Sequence, residues 1–462
     1  MQNLLWLRVS ASAFAMACFM PQAIAQSIED TLATAYTQNT QLNSLRAQQR
    51  ATDEQVPQAL SNWRPTVTLN GTYTRQDERY NPSYYDSLGG AGFTNSKGAN
   101  IQIVQPLYRG GKTVAATSAA QNTVKAGQSG LSGSEESTLL SAAQSYLDVV
   151  RDQSTVDLNA NNEAVLKRQL DAENDRFRVG EVTRTDVALA QASYQQARAQ
   201  YTTAVGTLAS DRATFQRVVG QAPGKLVQPV FKYRLPESLE AAVGEAEANN
   251  PSVLQAIFVE RASRDNVDLV EGARLPTVNL IGTFARSYPA PGTVVAGANI
   301  NSITTGSVEA QVTWPIYTGG LTSSQVRQAK QSANQYLIAI EDAKRVARQT
   351  AITAWQQLLA ARANIEAYEA QVNAAQIGAE GTRQQALVGT ATVLDSLTAE
   401  QNLLVAEVNL VGAQHDALLY SFSLLSAVGQ LTARELALNV TIYDPQVNQD
   451  RVGDKWFGTG IE

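Results

Sequence analysis

The chain states one pattern twice, and a constant spacing of this kind means two copies of one structural unit. Asn62-Trp63-Arg64-Pro65-Thr66-Val67-Thr68-Leu69 returns as Ala273-Arg274-Leu275-Pro276-Thr277-Val278-Asn279-Leu280, and Gln105-Pro106-Leu107-Tyr108-Arg109-Gly110-Gly111 returns as Trp314-Pro315-Ile316-Tyr317-Thr318-Gly319-Gly320. Val179-Gly180 with Thr183 and Asp186 returns as Val388-Gly389 with Thr392 and Asp395, and Val219-Gly220-Gln221 returns as Val428-Gly429-Gln430. Pro65 to Pro276 is 211 residues, whereas Pro106 to Pro315, Gly180 to Gly389 and Gly220 to Gly429 are each 209. The reading is therefore a first repeat over residues 26–226, a second over 237–437, and an unrepeated tail over 438–462.

Each repeat changes period along its length. Ser27-Ile28-Glu29-Asp30 opens a helical pattern with an N-cap and an acidic first turn, expected to run to about Asn62. Pro65 stops it, because proline lacks a backbone donor and pushes its predecessor toward extended geometry. From Thr66 the period is two. Val67, Leu69, Gly71 and Tyr73 alternate with Thr66, Thr68, Asn70, Thr72 and Thr74, and Ala99, Ile101 and Ile103 alternate with Asn100, Gln102 and Val104. In the second copy Val278, Leu280, Gly282 and Phe284 oppose Thr277, Asn279 and Thr283, and Val308, Ala310, Val312 and Trp314 oppose Glu309, Gln311 and Thr313. Four strands follow, at about residues 65–76, 98–106, 276–286 and 307–315. Each is long enough to cross a bilayer when tilted. Loops rich in Gly, Tyr, Asn, Ser and Pro, residues 76–97 and 287–306, join them in pairs.

After Gly111 and Gly320 the period returns to helical, to about Arg178 and Leu387, with no internal proline. Such length implies a coiled coil rather than a globular helix. Val179-Gly180 and Val388-Gly389 end these helices with the glycine a C-terminus prefers. The returning helices carry heptads: Val187, Tyr194, Tyr201, Leu208 and Phe215 in one, Leu397, Leu404, Val411, Leu418 and Leu425 in the other. His415, one heptad step from Val408 and Phe422, is expected in a helix seam.

Charged residues are only 17% of the chain, and the net charge of -6 gives nucleic-acid binding little support. Residues 1–25 read as a secretory signal: Arg8, an apolar stretch from Val9 to Met20, and the small-residue site Ala23-Ile24-Ala25. Cys18, the only cysteine, would leave with it; a lipoprotein start at Cys18 is the rival reading, against which Ala15-Met16-Ala17 is a poor lipobox. A mature chain without cysteine has no disulfide or thiolate metal site, and a single histidine offers no catalytic or metal partner set. The expectation is no enzyme activity, no cofactor and no metal.

Four amphipathic strands cannot close a barrel, and an open sheet edge in lipid leaves backbone groups unpaired. The edges must meet other subunits. Two chains would give eight strands and a lumen filled by side chains. Three give twelve and a water channel, so a homotrimer is the preferred assembly. A trimeric coiled-coil surface protein and a periplasmic adaptor are the rival readings. The paired membrane-type strands argue against both.

The duplicated order of strand, Pro-Leu/Ile-Tyr-x-Gly-Gly, long helix and Val-Gly-x-x-Thr-x-x-Asp resembles the TolC-like outer-membrane efflux and type I secretion proteins, over about residues 27–437. The resemblance implies a mixed α and β fold: a twelve-stranded trimeric barrel in outer-membrane lipid, continued by a long α-helical tunnel into the periplasm. It implies a passive exit duct that docks with a periplasmic adaptor (membrane fusion protein) and an inner-membrane pump or ATP-binding-cassette exporter. It also places Asp395 where one carboxylate per protomer narrows the tunnel, with Arg184, Thr185 and Asp186 at positions of polar links between the glycine turns. Better-known members carry a second aspartate one turn later, where this chain has Thr398. Val179, Gly180, Val388 and Gly389 match the adaptor-docking tips. Each has a plainer reading. Thr392 with Asp395, and Thr183 with Asp186, are spaced as capping boxes; Arg184 and Thr185 suit an exposed surface; the Val-Gly pairs end helices. Pro106, Gly110, Gly111, Pro315, Gly319 and Gly320 read as barrel-to-helix turns, and Tyr73, Phe284 and Trp314 as interfacial aromatics.

Overall fold

The computed structural model describes residues 26–78, 92–289, 294–295 and 298–461. The signal stretch 1–25, residues 79–91, 290–293 and 296–297 between strands, and Glu462 lie outside the described residues. Four strands form one antiparallel sheet in the order β1 (Thr66–Glu78), β2 (Gly92–Arg109), β3 (Thr277–Tyr288) and β6 (Ile303–Thr313). A small ladder, β4 (Val294–Val295) with β5 (Ala298–Asn299), sits between β3 and β6 in the chain.

The strands run further into the connecting segments than their side-chain alternation suggests. Backbone pairing carries them on, helped by cation–π contacts: Arg75 lies 4.3 Å from the Phe93 ring centroid and Lys97 lies 5.3 Å from that of Tyr288. Strand β2 also runs through Pro106 to Arg109, with a register shift between Pro106 and Tyr108 against β3. A bulge there accommodates the missing donor. Its counterpart β6 stops at Thr313, before Pro315, and among the described residues no strand lies on its outer side.

The single helix expected before the first strand is broken, and this is a correction. It is α1 (Ile28–Gln38), α2 (Thr40–Asp53) and α3 (Gln55–Leu60), with a further tight turn to Trp63. Asn39 takes an extended conformation and its side chain accepts from Leu42 N, starting a new helix. Pro57 has no N–H to offer a preceding turn. The equivalent stretch is α6 (Leu239–Asn249) and α7 (Pro251–Glu271), again broken at a capping asparagine, Asn250. The long helices fall where their end signals put them: α4 (Lys112–Arg178) and α8 (Leu321–Leu387), each 67 residues and about 100 Å at the usual rise. The returning helices are α5 (Arg184–Val219) and α9 (Val393–Ala427).

The helices form one layer whose column order repeats that of the strands. Near the sheet, α2 and α3 pack on α4, α4 on α7, and α7 on α8; beyond α7's start, α5 packs on α4, α4 on α9, and α9 on α8. Shorter helices thus stack end to end beside each unbroken one. At the stacking points Asn39 Nδ2 donates to Val218 O (2.9 Å) and Asn250 Nδ2 to Ala427 O (3.2 Å), the same bridge in both copies. The main core lies at this level and joins Leu32, Tyr36, Leu139, Tyr146, Phe215, Phe422 and Leu431. The tail wraps onto it. Leu436 and Leu438 are buried there, Tyr443 N donates to Tyr36 Oη (2.9 Å), and α10 (Pro445–Gly453) ties to α2 through Asn448 Nδ2 and Asp53 Oδ2 (2.7 Å).

Candidate functional site

The sheet is two-faced. Strand pairing sets Val67 opposite Ile103, Leu69 opposite Ile101, Ile101 opposite Phe284, Leu280 opposite Ala310 and Val278 opposite Val312. All of these sit on one face, and Val67, Leu69, Ile101, Ile103, Leu280, Phe284 and Val312 are exposed in the single chain. The other face carries Thr68 opposite Gln102, Asn70 opposite Asn100, and Asn279 opposite Gln311. An exposed apolar face of this extent needs a non-aqueous partner. Among the described residues no helix is long and apolar enough to cross a membrane, and that says nothing against strands. Among the described residues the outer edges of β1 and β6 have no strand partner. The helix layer has the same open flanks: α8 leaves Leu337, Ile338, Val346 and Ile377 exposed.

Where sheet becomes helix, the two copies use the same contacts. Gln105 Nε2 donates to Trp63 O (2.9 Å), and Trp314 Nε1 donates to Arg274 O (3.2 Å). Gly110 has φ +64° and lies so close to the second copy that a Cβ there would meet Gly272 O at 2.4 Å. Gly319 has the same φ, +64°, and open space around it. Gly111 and Gly320, also left-handed, stand at the N-caps of α4 and α8. Pro106 lies within β2, and Pro315 follows β6.

At the far end the chain makes two helical turns. Gly180 and Gly389 close α4 and α8 in the left-handed region, and the next residues bond back: Glu181 N to Arg176 O (3.0 Å) and Thr390 N to Gln385 O (2.9 Å). Val179 and Val388 stand 72% and 75% exposed beside them. Both capping boxes form. Thr392 N and Oγ1 donate to Asp395 Oδ2 (2.9 and 2.7 Å), and Thr183 N and Oγ1 donate to Asp186 Oδ2 (2.8 and 2.7 Å). The threonine hydroxyl first, and its backbone N–H second, hold each carboxyl below the usual aspartate range. Arg184 and Thr185 begin α5 on the surface. Among the described residues no hydrogen bond joins residues 183–186 to 388–395 within one chain. Thr398, in place of a second carboxylate, donates to Leu394 O (2.8 Å).

Sequence reasoning missed the charged seams. His415 is buried between α9 and α4, as its heptad position implies, but its partners are new. Nε2 lies 3.0 Å from Asp148 Oδ1, off the line of an ideal hydrogen bond, and Nδ1 lies 2.9 Å from Asp416 Oδ1. Arg151 contacts Asp148 (2.8 Å), Asp152 (2.8 Å) and, on α5, Asp211 (3.4 Å). Burial alone would lower the imidazole; the two carboxylates outweigh it and raise His415 above its usual value. Burial, then Asp152, pushes Asp211 up to about 6. Nearer the tip, Arg383 on α8 pairs with the buried Glu400 on α9. A comparison between copies holds the only sequence signal: His415, Asp148 and Asp152 have Gly206, Gln357 and Ala361 at their 209-residue equivalents.

The family model for outer membrane efflux proteins matches residues 31–221 and again 242–430. The chain belongs to the outer membrane efflux protein family. It is 35% identical over 436 residues to the outer membrane efflux protein BepC of Brucella suis, covering 94% of this chain and 92% of that one. It is 28% identical to the outer membrane protein TolC of Escherichia coli, covering 91% and 86%. Its fold matches the CmeC outer membrane channel of Campylobacter jejuni with a TM-score of 0.78 at 16% identity, over 92% of this chain and 89% of that one. This member of the family is an outer-membrane efflux or secretion channel, extends into the periplasm and is not an enzyme.

Proposed function

We propose that three copies join edge to edge, β6 of one beside β1 of the next, into a twelve-stranded barrel in outer-membrane lipid. One observation carries this reading: sheet and helix layer share one column order and are open at both flanks. An unpaired strand edge in hydrocarbon costs several kcal/mol per backbone group, on the order of the penalty for any unbonded amide. Closure removes it, turns the apolar face to lipid and the Thr/Asn/Gln face to a wet lumen, and continues the lumen between the long helices. Residues 26–226 and 237–437 serve as the two units of each subunit. The duct is passive, with energy from an inner-membrane pump or ATP-binding-cassette exporter.

The turns at Val179-Gly180 and Val388-Gly389 are the docking tips for a periplasmic adaptor, supported by valines that a rigid, capped turn holds in solvent. Asp395 narrows the entrance as a ring of three carboxylates, with Arg184, Thr185 and Asp186 linking neighbouring tips. Capping and gating are compatible: the cap fixes the carboxyl's position, and its lowered pKa keeps it ionised. The test is single-channel conductance of the Asp395→Ala trimer in planar bilayers. Conductance should rise and cation preference fall. Unchanged conductance in a folded trimer removes the gate role.

A further inference from the structure

The end of the chain, which the family match does not reach, forms a built loop that holds apolar side chains outward. Trp456, Phe457 and Ile461 are 58%, 86% and 94% exposed within the last seven described residues. The loop is nonetheless pinned. Arg64 Nη1 donates to Lys455 O (2.8 Å), and the Arg64 guanidinium lies 4.5 Å from the Trp456 ring centroid. Lys455 Nζ donates to Gly460 O (2.7 Å), Arg451 donates to Ile461 O (3.4 Å), and Gly458 makes the turn at φ +99°. The segment is pinned at these points and holds its apolar side chains in solvent within the single chain.

The tether fixes where these side chains lie. Arg64 stands immediately before Pro65, and the exposed apolar face of β1 begins at Val67. Three extended residues span about 10 Å. At the same level the chain exposes Trp63, Leu107, Tyr108, Leu275, Trp314 and Tyr317. Aromatic rings with basic side chains beside them are the composition of a membrane–water boundary, where the ring enters the headgroup region and the cation stays wet. Arg64, Arg451 and Lys455 supply those cations.

We propose that the C-terminal loop, residues 455–461, is an interfacial anchor that seats Trp456, Phe457 and Ile461 in the periplasmic leaflet of the outer membrane. It extends the lipid contact of the barrel sideways beneath the first strand, and so couples the tail, and through α10 the helix layer at α2, to the bilayer. This rests on the placement of the strand sheet in lipid.

The test places an environment-sensitive fluorophore on Phe457→Cys in a Cys18→Ser background. The purified protein is reconstituted into phosphatidylcholine vesicles with and without brominated acyl chains. Val308→Cys on the apolar sheet face and Val388→Cys at the distal turn serve as references. The label at 457 should be blue-shifted and quenched at least half as strongly as the label at 308. Water-like emission matching position 388 would overturn the anchor, and so would a blue-shifted label that bromine does not quench, which means cover by protein from a neighbouring copy. An unquenched label at 308 would instead sink the membrane placement of the sheet, and the anchor with it.

Discussion

The two repeats have the same elements and different neighbours, and their differences show which parts of the duct are finished within one chain. In the first copy β2 has strands on both sides and runs through Pro106; in the second, β6 is an edge and stops at Thr313. The first copy's long helix lies inside the layer, while the second's is a flank. The seam between copies joins His415 to Asp148 beside Arg151 and Asp152, and Arg151 reaches on to Asp211 within the first copy. The positions of α8 equivalent to Asp148, Arg151 and Asp152 hold Gln357, Ala360 and Ala361. The intrachain seam is thus an ionic joint whose charges have no counterpart at the equivalent positions of α8.

The largest separation between copies is expected at the sheet-to-helix turn. Gly110→Ala forces a Cβ against the Gly272 carbonyl in addition to the left-handed penalty, so it should cost more than about 3 kcal/mol. Gly319→Ala, with open space, should cost only about 1–2 kcal/mol. Thermal dissociation of the purified assembly measures both, and equal losses would remove the close approach as the cause.

At the tips the second copy joins its two helices through Arg383 and the buried Glu400, whereas the first copy's buried Glu173 pairs with Arg176 on its own helix. Arg383→Ala leaves Glu400 buried and unpaired between α8 and α9, for a loss of about 1–3 kcal/mol after discounting for the half-exposed arginine. Arg178→Ala in the first copy breaks only an exposed pair with Asp175 and should change stability by less than about 0.5 kcal/mol. Hydrogen exchange across α8 and α9 checks this, and protection unchanged by Arg383→Ala would contradict it.

The smallest effect is in pH. His415 and Asp211 both have raised folded values, so their contribution is fully present below their unfolded values and is lost as pH rises through the folded ones. For Asp211 that window runs from the ordinary aspartate value to about 6; for His415 it begins near the ordinary imidazole value and extends above it. The seam between α4, α5 and α9 should tighten on mild acidification. His415→Gln should flatten the upper part of that dependence in melting curves taken across the range. A melting point that falls as pH drops from neutral through this range would reverse the sign and refute the assignment.

Much of this architecture is legible in the residues. Period-two runs bounded by Pro65 and Pro276 specify strands because a half-solvated sheet alternates faces, and Gly111 with Gly180, or Gly320 with Gly389, brackets the long helices. Thr183 and Thr392 announce their caps. Other features depend on distant partners. Asn39 splits a helix because Val218 lies across from it, and Asn250 repeats this with Ala427. The passage of β2 through Pro106 needs β3 on its far side. His415 signals a seam by its heptad place, but only the fold brings Asp148 within 3.0 Å of it. The tail shows only Pro445, Trp456 and Phe457 as landmarks; its docking onto Asp53 and Tyr36 is tertiary.

The most direct test of edge-to-edge closure is the copy number of the detergent-solubilised particle by native mass spectrometry. Three copies, with twelve strands between them, is the expected result. A stable single copy, or one that stays dispersed in water after detergent is removed, would contradict the account.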